Sequence, residues 1–301
     1  MNDIVKHDFP TRNWMVATPS IDNLTLSELT LPGTHNSGCD WRATYDPAPG
    51  WVSPIFGTAP TRHWAACQHQ SFLDQLQYGA RALDVRLLFE PGNNGHEQFM
   101  FHHNSIRSSR MLVNLLFDLN VFLQDNPDEF IVLNFQHFEG IGTEFDYKQF
   151  NDVVLDFIGD RMIPVTNTYL TLAELKRASP LQRILVGCPH HSALNERQFH
   201  DAINGLWSGN NLTNASELET FISRVMTSPP SRWAPWCLSA TAYSALGGPT
   251  DIHSELDSMF DTTKNNWAQN CNIISVDFME ESKIVAHCRN ASIANATRKH
   301  R

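Results

Sequence analysis

RMLVNLLFDLNVFLQDNPDEFIVLNFQHF, residues 110–138, holds the unit from which the fold is read. Leu112, Leu115, Leu116, Leu119, Phe122 and Leu123 recur at the period of a one-sided helix, which predicts a helix over 110–124. Asn126-Pro127 stops it, because proline lacks an amide donor and clashes with the preceding turn. Glu129 to Phe138, rich in Ile, Val and Phe, then reads as a strand.

The alternation extends both ways. Upstream, Leu29 to Leu31 reads as a first strand ending at Pro32-Gly33, and 40–64 as a loop carrying Pro47, Pro49, Pro54 and Pro60. Residues 71–78 read as a helix, and Arg81 to Phe89 and Phe99 to His103 as strands. Downstream, helices at 147–159, 171–178, 216–226 and 252–268 are interleaved with strands at 184–188, 236–241 and 272–279, before a short C-terminal helix. Repeated strand–helix alternation predicts an α/β fold with a parallel sheet, approaching a (β/α)-barrel; an open doubly wound sheet is the alternative. No G-x-G-x-x-G or G-x-x-x-x-G-K-[ST] stands at a strand–helix junction, which disfavours nucleotide-binding versions.

Composition excludes several classes. The 301 residues are 42% hydrophobic and 18% charged, which is ordinary globular usage rather than a disordered chain or a collagen-like repeat. The net charge of -10, with no basic stripe, argues against nucleic acid and against polybasic anchoring to an acidic membrane. The richest apolar stretch, Met111 to Leu123, is interrupted by Asn114, Asp118 and Asn120, so no transmembrane span is expected. The six cysteines form no C-x-x-C pair, so a zinc ribbon or thioredoxin-like motif is not expected; a bridge between Cys39 and Cys67 is one possibility, free thiols the other.

In a barrel the active site lies at the C-terminal ends of the strands. Polar residues concentrate there: Gly33-Thr34-His35-Asn36-Ser37 after the first strand, Asp84 and Arg86 on the second, His102-His103-Asn104 on the third, Gln136 and His137 on the fourth, and Asp277 on the last. Buried apolar strands seldom carry such groups unpaired. Two imidazoles, an arginine and carboxylates suit acid–base chemistry on a phosphate. One histidine takes a proton from a hydroxyl, the other gives one to a leaving alkoxide, and a guanidinium neutralises the phosphoryl oxygens. Adjacent strand residues point to opposite faces, so only one of His102 and His103 should reach the site.

These segments resemble the catalytic X domain of the phosphatidylinositol-specific phospholipase C family, in its bacterial-type, single-domain form. Leu31-Pro32-Gly33-Thr34-His35-Asn36-Ser37-Gly38 is similar to the opening signature, and Gln75 to Arg86 to the "QL..GxRxxDxR" pattern. Phe101-His102-His103-Asn104 matches the segment of the second histidine, and Ile274-Ser275-Val276-Asp277-Phe278 the closing strand. The strong similarity covers 28–138. The resemblance implies a distorted TIM-like (β/α)-barrel, with 1–301 as one catalytic domain and 1–22 as its N-terminal extension. It implies cleavage of phosphatidylinositol to diacylglycerol and inositol 1,2-cyclic phosphate. His35 would be the general base, His103 the acid, Asp277 the partner of His35, and Arg86 and Asp84 the phosphate holders, with Asn36 and Gln136 as substrate-binding residues.

Two departures bear on that reading. Asn104 stands where the family has glycine, and Asn36 where the metal-independent branch usually has aspartate. Arg86 and Gln136 occupy positions that are acidic in the calcium-using branch, so the expectation is an enzyme without a cofactor. Calcium held by Asn36 and Asp84 is the alternative. No basic residue for the headgroup is evident after the strand at Ile184. Another phospholipid, a glycosylphosphatidylinositol anchor, a glycerophosphodiester, or a silent lipid-binding module therefore stay open.

A transient partner is expected in the phospholipid membrane surface, touched by Trp51, Phe56 and Trp236 in two proline-containing loops. A monomer is expected. Residues 1–14 show no basic stretch followed by an apolar one, so no secretory leader is expected. The expected setting of use is nevertheless extracellular, with the cytoplasm as the alternative.

Overall fold

The computed structural model describes residues 4–47, 61–92, 98–104, 106–244 and 248–299. β1 (Leu31–Thr34) is followed by β2 (Tyr45–Pro47), α1 (Thr61–Ala65) and α2 (Phe72–Gln77). β3 (Ala82–Phe89) leads into β4 (Phe99–His103) and β5 (Ile106–Met111), then α3 (Leu112–Asp125) and β6 (Ile131–Gly140). α4 (Tyr147–Ile158) and α5 (Leu172–Ala178) precede β7 (Ile184–Gly187), β8 (Phe199–His200) and β9 (Asn204–Leu206). α6 (Ala215–Thr227) leads to β10 (Trp236–Ser239), then β11 (Ala242–Ser244), β12 (Gly248–Thr250), α7 (His253–Met259) and α8 (Trp267–Asn270). β13 (Ile273–Val276) and α9 (Ile284–Lys299) close the chain.

Eight strands run parallel in the order β9-β10-β13-β1-β3-β6-β7-β8, so chain order is spatial order once the ends are joined between β13 and β1. Among the described residues β8 and β9 share no ladder, and only three residues connect them, too few for a crossover helix. The result is a distorted (β/α)-barrel, open at that seam. A second distortion comes from β4, which pairs antiparallel with β3 at Leu87–Phe89 and carries β5 and β2 outward as an antiparallel wing.

β1, β7 and β13 are buried at every position, as barrel strands covered on both sides must be. β6 is buried over its first five residues and then alternates with solvent, so it projects beyond the barrel beside β3. α3 buries the six apolar residues that defined its period, each worth about 1.5–3 kcal/mol of transfer free energy. Asp146 caps α4, and Thr171–Glu174 and Asn214–Glu217 form capping boxes on α5 and α6. The segment 1–22 is integral where described: Trp14, Met15 and Ile21 are buried in the main core. At the other end of the barrel from the candidate site, Arg81 and Glu129, both fully buried, pair at 2.6 Å. Arg81 also donates to the carbonyl of Arg12, while Glu129 accepts from the amide of Val16.

Three expectations are corrected, and one open alternative is resolved. β1 runs through Pro32-Gly33 instead of ending there. The amides of Leu31 and His35 face β13, so the missing donor of Pro32 falls on the β3 side, below the first paired residues Gly33 and Ala82. A side chain at Gly33 would press into Ile273 at 2.9 Å. The helix expected over 252–268 is broken into α7 and α8 by a turn in which Asp261 accepts from the Thr263 amide. Trp236 is not a rim residue: it lies on β10, 1% exposed, inside the core. Cys39 and Cys67 are both buried free thiols. Trp51 and Phe56 lie outside the described residues.

Candidate active site

His35 follows β1, and its backbone amide extends the β1–β13 ladder to Val276. Asp277 follows β13, so adjacent parallel strands deliver both side chains to one end of the barrel. His35 Nδ1 donates to Asp277 Oδ1 at 2.8 Å. An ionised carboxylate only accepts, so the neutral imidazole carries its lone pair on Nε2.

His103 ends β4. Its Nδ1 donates to the carbonyl of Ala65 at 3.0 Å, which again leaves the Nε2 lone pair available. The rings of His35 and His103 stand 6.0 Å apart, nearly perpendicular at 88°. Burial, then the neighbouring His35 and Arg86, push the His103 pKa down to about 3. His102 is turned away: its Nδ1 donates to the carbonyl of Asn104 at 2.7 Å. The structure therefore brings His103, and not His102, to His35.

Asp84 and Arg86, two apart on β3, share a face. Arg86 holds Asp84 through Nη2 at 2.9 Å and Nε at 3.2 Å, and the amide of Asn36 donates to the same carboxylate at 3.0 Å. Burial alone would raise the Asp84 pKa, but Arg86 and His35 hold it below the usual carboxylate range. The β3–β6 register shifts between Val85 and Arg86, where Val85 pairs with Phe135 and Arg86 with His137. Gln136 is thus the extra residue of a bulge, a device that re-aims side chains beside sites. Its amide nitrogen reaches toward Gly205 on β9. Both polar atoms of the buried Asn36 side chain lack a hydrogen-bond partner in the free protein.

Three non-glycine residues have positive φ among the described residues: Asn36 at 47°, Asn104 at 53° and Phe278 at 48°. Each directly follows one of His35, His103 and Asp277. Left-handed backbone is costly for most residues and tolerated by Asn. It explains how Asn104 can replace a glycine: the position needs that conformation. Such outliers concentrate at functional sites, where the fold imposes them.

Sequence reading missed the connection from α1 to α2. Cys67 Sγ stands 3.6 Å from His103 Nδ1. The Gln68 side chain donates to the carbonyls of both His35 and Val276 at 2.9 Å, tying the ends of β1 and β13 together. No motif marks these residues; their role follows only from contacts made up to 208 positions away. Trp207 and Leu212, 54% and 52% exposed, were also missed; they lie in the loop leaving the C-terminal end of β9.

Calcium at Asn36 and Asp84 does not fit this arrangement. Both Asp84 oxygens already accept from the Arg86 guanidinium, so an ion there would meet fixed positive charge instead of further oxygen ligands.

No family model matches the chain. It is 25% identical over 297 residues to mouse PI-PLC X domain-containing protein 2, covering 89% of this chain and 84% of that protein. It is 28% identical over 171 residues to human PI-PLC X domain-containing protein 3, covering 53% and 52% respectively. It is 37% identical over 202 residues to the variant-surface-glycoprotein phospholipase C of Trypanosoma cruzi, covering 62% of this chain and 52% of that one. The chain thus spans about half the length of two of these three relatives. Among solved structures, a mutant phosphatidylinositol-specific phospholipase C of Staphylococcus aureus superposes with a TM-score of 0.68 at 16% identity, covering 94% of this chain and 98% of that one. The Listeria monocytogenes enzyme gives 0.67 at 19%, covering 94% and 99%. These structures share the distorted barrel. The bacterial-type label is not specific, since the sequence relatives include animal and trypanosome proteins. The sequence relatives and the shared barrel together support a place for this chain beside the X-domain family of phosphatidylinositol-specific phospholipases C.

Proposed function

We propose that this protein cleaves phosphatidylinositol by intramolecular phosphoryl transfer, releasing diacylglycerol and inositol 1,2-cyclic phosphate. The observation that carries the reading is the facing pair of imidazoles, each with its Nδ1 committed to a fixed acceptor and its Nε2 left over. His35 takes the proton of the inositol 2-hydroxyl as that oxygen attacks phosphorus, and Asp277 stabilises the imidazolium that forms. His103 gives a proton to the departing glycerol oxygen. It must enter the step as imidazolium, and the anionic phosphodiester beside it supplies the opposing charge that the free site lacks. Arg86, oriented by Asp84, neutralises the phosphoryl oxygens. The unpartnered amide of Asn36 hydrogen-bonds to substrate, and Gln136 lines the same cleft. The Arg86–Asp84 pair favours turnover without a metal.

The substrate arrives from a membrane surface touched at the mouth. Trp207 and Leu212, on a loop with no charged residue over 207–214, suit that contact. The similarity to the trypanosome variant-surface-glycoprotein phospholipase C favours a second reading, in which glycosylated phosphatidylinositol is also cleaved. Product analysis on phosphatidylinositol vesicles, with and without the glycan, tests both. A cyclic inositol phosphate from neither lipid would contradict the proposal.

A further inference from the structure

His35, Cys67 and Asp277 offer one nitrogen, one sulfur and one oxygen ligand atom, all within 4.8 Å of one another. The reaction above uses His35 and Asp277 but leaves Cys67 without a task. The three residues come from β1, from the α1–α2 connection and from β13, and the backbone holds them in one frame. The Cys67 amide donates to the Cys39 carbonyl at 2.8 Å, and its carbonyl accepts from Phe278 at 2.9 Å. Gln68 bridges the strands that carry the other two ligands.

We propose that His35, Cys67 and Asp277 form a binding site for a borderline-soft divalent cation of the zinc class, and that filling it switches the enzyme off. The donor set decides the ion: zinc accepts sulfur, nitrogen and oxygen together in a tetrahedron, whereas calcium and magnesium take oxygen alone. Zinc bonds of about 2.0–2.3 Å place ligand atoms roughly 3.3–3.8 Å apart, so side-chain rotation suffices. On binding, the Cys67 thiol releases its proton to solvent and ligates as thiolate, the Nδ1 proton of His35 is exchanged through solvent to Nε2, and the Nδ1 hydrogen bond to Asp277 is replaced by bonds from Nδ1 and the carboxylate to the ion. No electron is transferred. Three protein ligands leave a fourth position for water. The ion and the proton transfer at His35 then exclude each other.

Metal binding stands independently of the proposed reaction, while the inhibition rests on it. The test titrates metal-free full-length protein with Co2+, whose thiolate charge-transfer and four-coordinate d–d bands report sulfur ligation, and then displaces it with Zn2+. The expected result is one equivalent bound with a thiolate band. That band should vanish in Cys67→Ser and His35→Ala and persist in Cys188→Ser, a buried thiol beyond β7. On phosphatidylinositol vesicles, Zn2+ should inhibit reversibly. The concentration for half-inhibition should rise at least tenfold in Cys67→Ser, judged against that variant's own metal-free rate. Absence of the thiolate band, or its persistence in Cys67→Ser, overturns the site. Should Cys67→Ser not fold, His35→Ala decides. Cleavage without a thiolate band rejects the metal site alone, and a thiolate band without cleavage rejects the reaction alone.

Discussion

Asn36 and Asn104 hold the same left-handed backbone, φ 47° and 53°, and each directly follows one of the two facing histidines. The left-handed residue after each histidine sets the direction in which the chain leaves it, and with that where the ring stands. Asn104→Gly should therefore leave stability and turnover nearly unchanged. Asn104→Val, a β-branched residue in the same conformation, should cost roughly 1–2 kcal/mol and lower kcat/KM at least tenfold by shifting His103. Urea denaturation and vesicle assays check the pair.

His103 also gives a signature in acid. Its folded pKa is pushed to about 3, below the value near 6.5 of an unfolded histidine. As pH falls below 6.5 the unfolded chain takes up a proton that the folded protein refuses until about pH 3. The stability is thus complete above 6.5 and is lost on the way down, at up to about 1.4 kcal/mol per pH unit. His103→Gln should flatten that limb of the stability–pH curve. An identical slope in the variant would contradict the neutral, buried assignment.

The Arg81–Glu129 pair predicts a purely structural phenotype. Removing one partner leaves the other charge buried and unpaired, which costs about 3–5 kcal/mol. Glu129→Gln should lower the unfolding free energy by that order and make the segment around Arg12 sensitive to protease, since Arg81 and Glu129 tie it down. At a temperature where the variant stays folded, its kcat should match wild type.

Trp207 and Leu212 supply the membrane prediction. The double replacement Trp207→Ala, Leu212→Ala should weaken sedimentation with phosphatidylinositol vesicles at least tenfold while sparing a short-chain soluble substrate. Trp233→Ala, more exposed at 79% but on the loop entering β10 at the opposite end of the barrel, should change neither. Equal losses on both substrates would count against contact through Trp207.

The barrel was legible where local pattern carries it. The period of Leu112 to Leu123 located α3, and asking which polar residues end strands assembled His35, Arg86, His103 and Asp277. β5 was invisible because Arg107 and Arg110 break its apolar pattern; their charges are met by Glu90 and Asp40 from distant segments. Trp236 stands at the boundary of the strand expected over 236–241 and the proline-containing loop before it, so sequence alone placed it at the rim, and only tertiary packing shows it buried on β10. Cys67 and Gln68 carry no spacing signal. They reach the site because the α1–α2 connection folds over the ends of β1 and β13, a closeness that no local period records.

The most direct test of the two-histidine reaction is phosphorus NMR of phosphatidylinositol micelles incubated with the protein in EGTA, beside His35→Ala and His103→Ala. The account predicts an inositol 1,2-cyclic phosphate resonance from wild type, reduced at least a hundredfold in rate by either replacement. A resonance that needs added calcium, or one that survives the loss of His35, would contradict it.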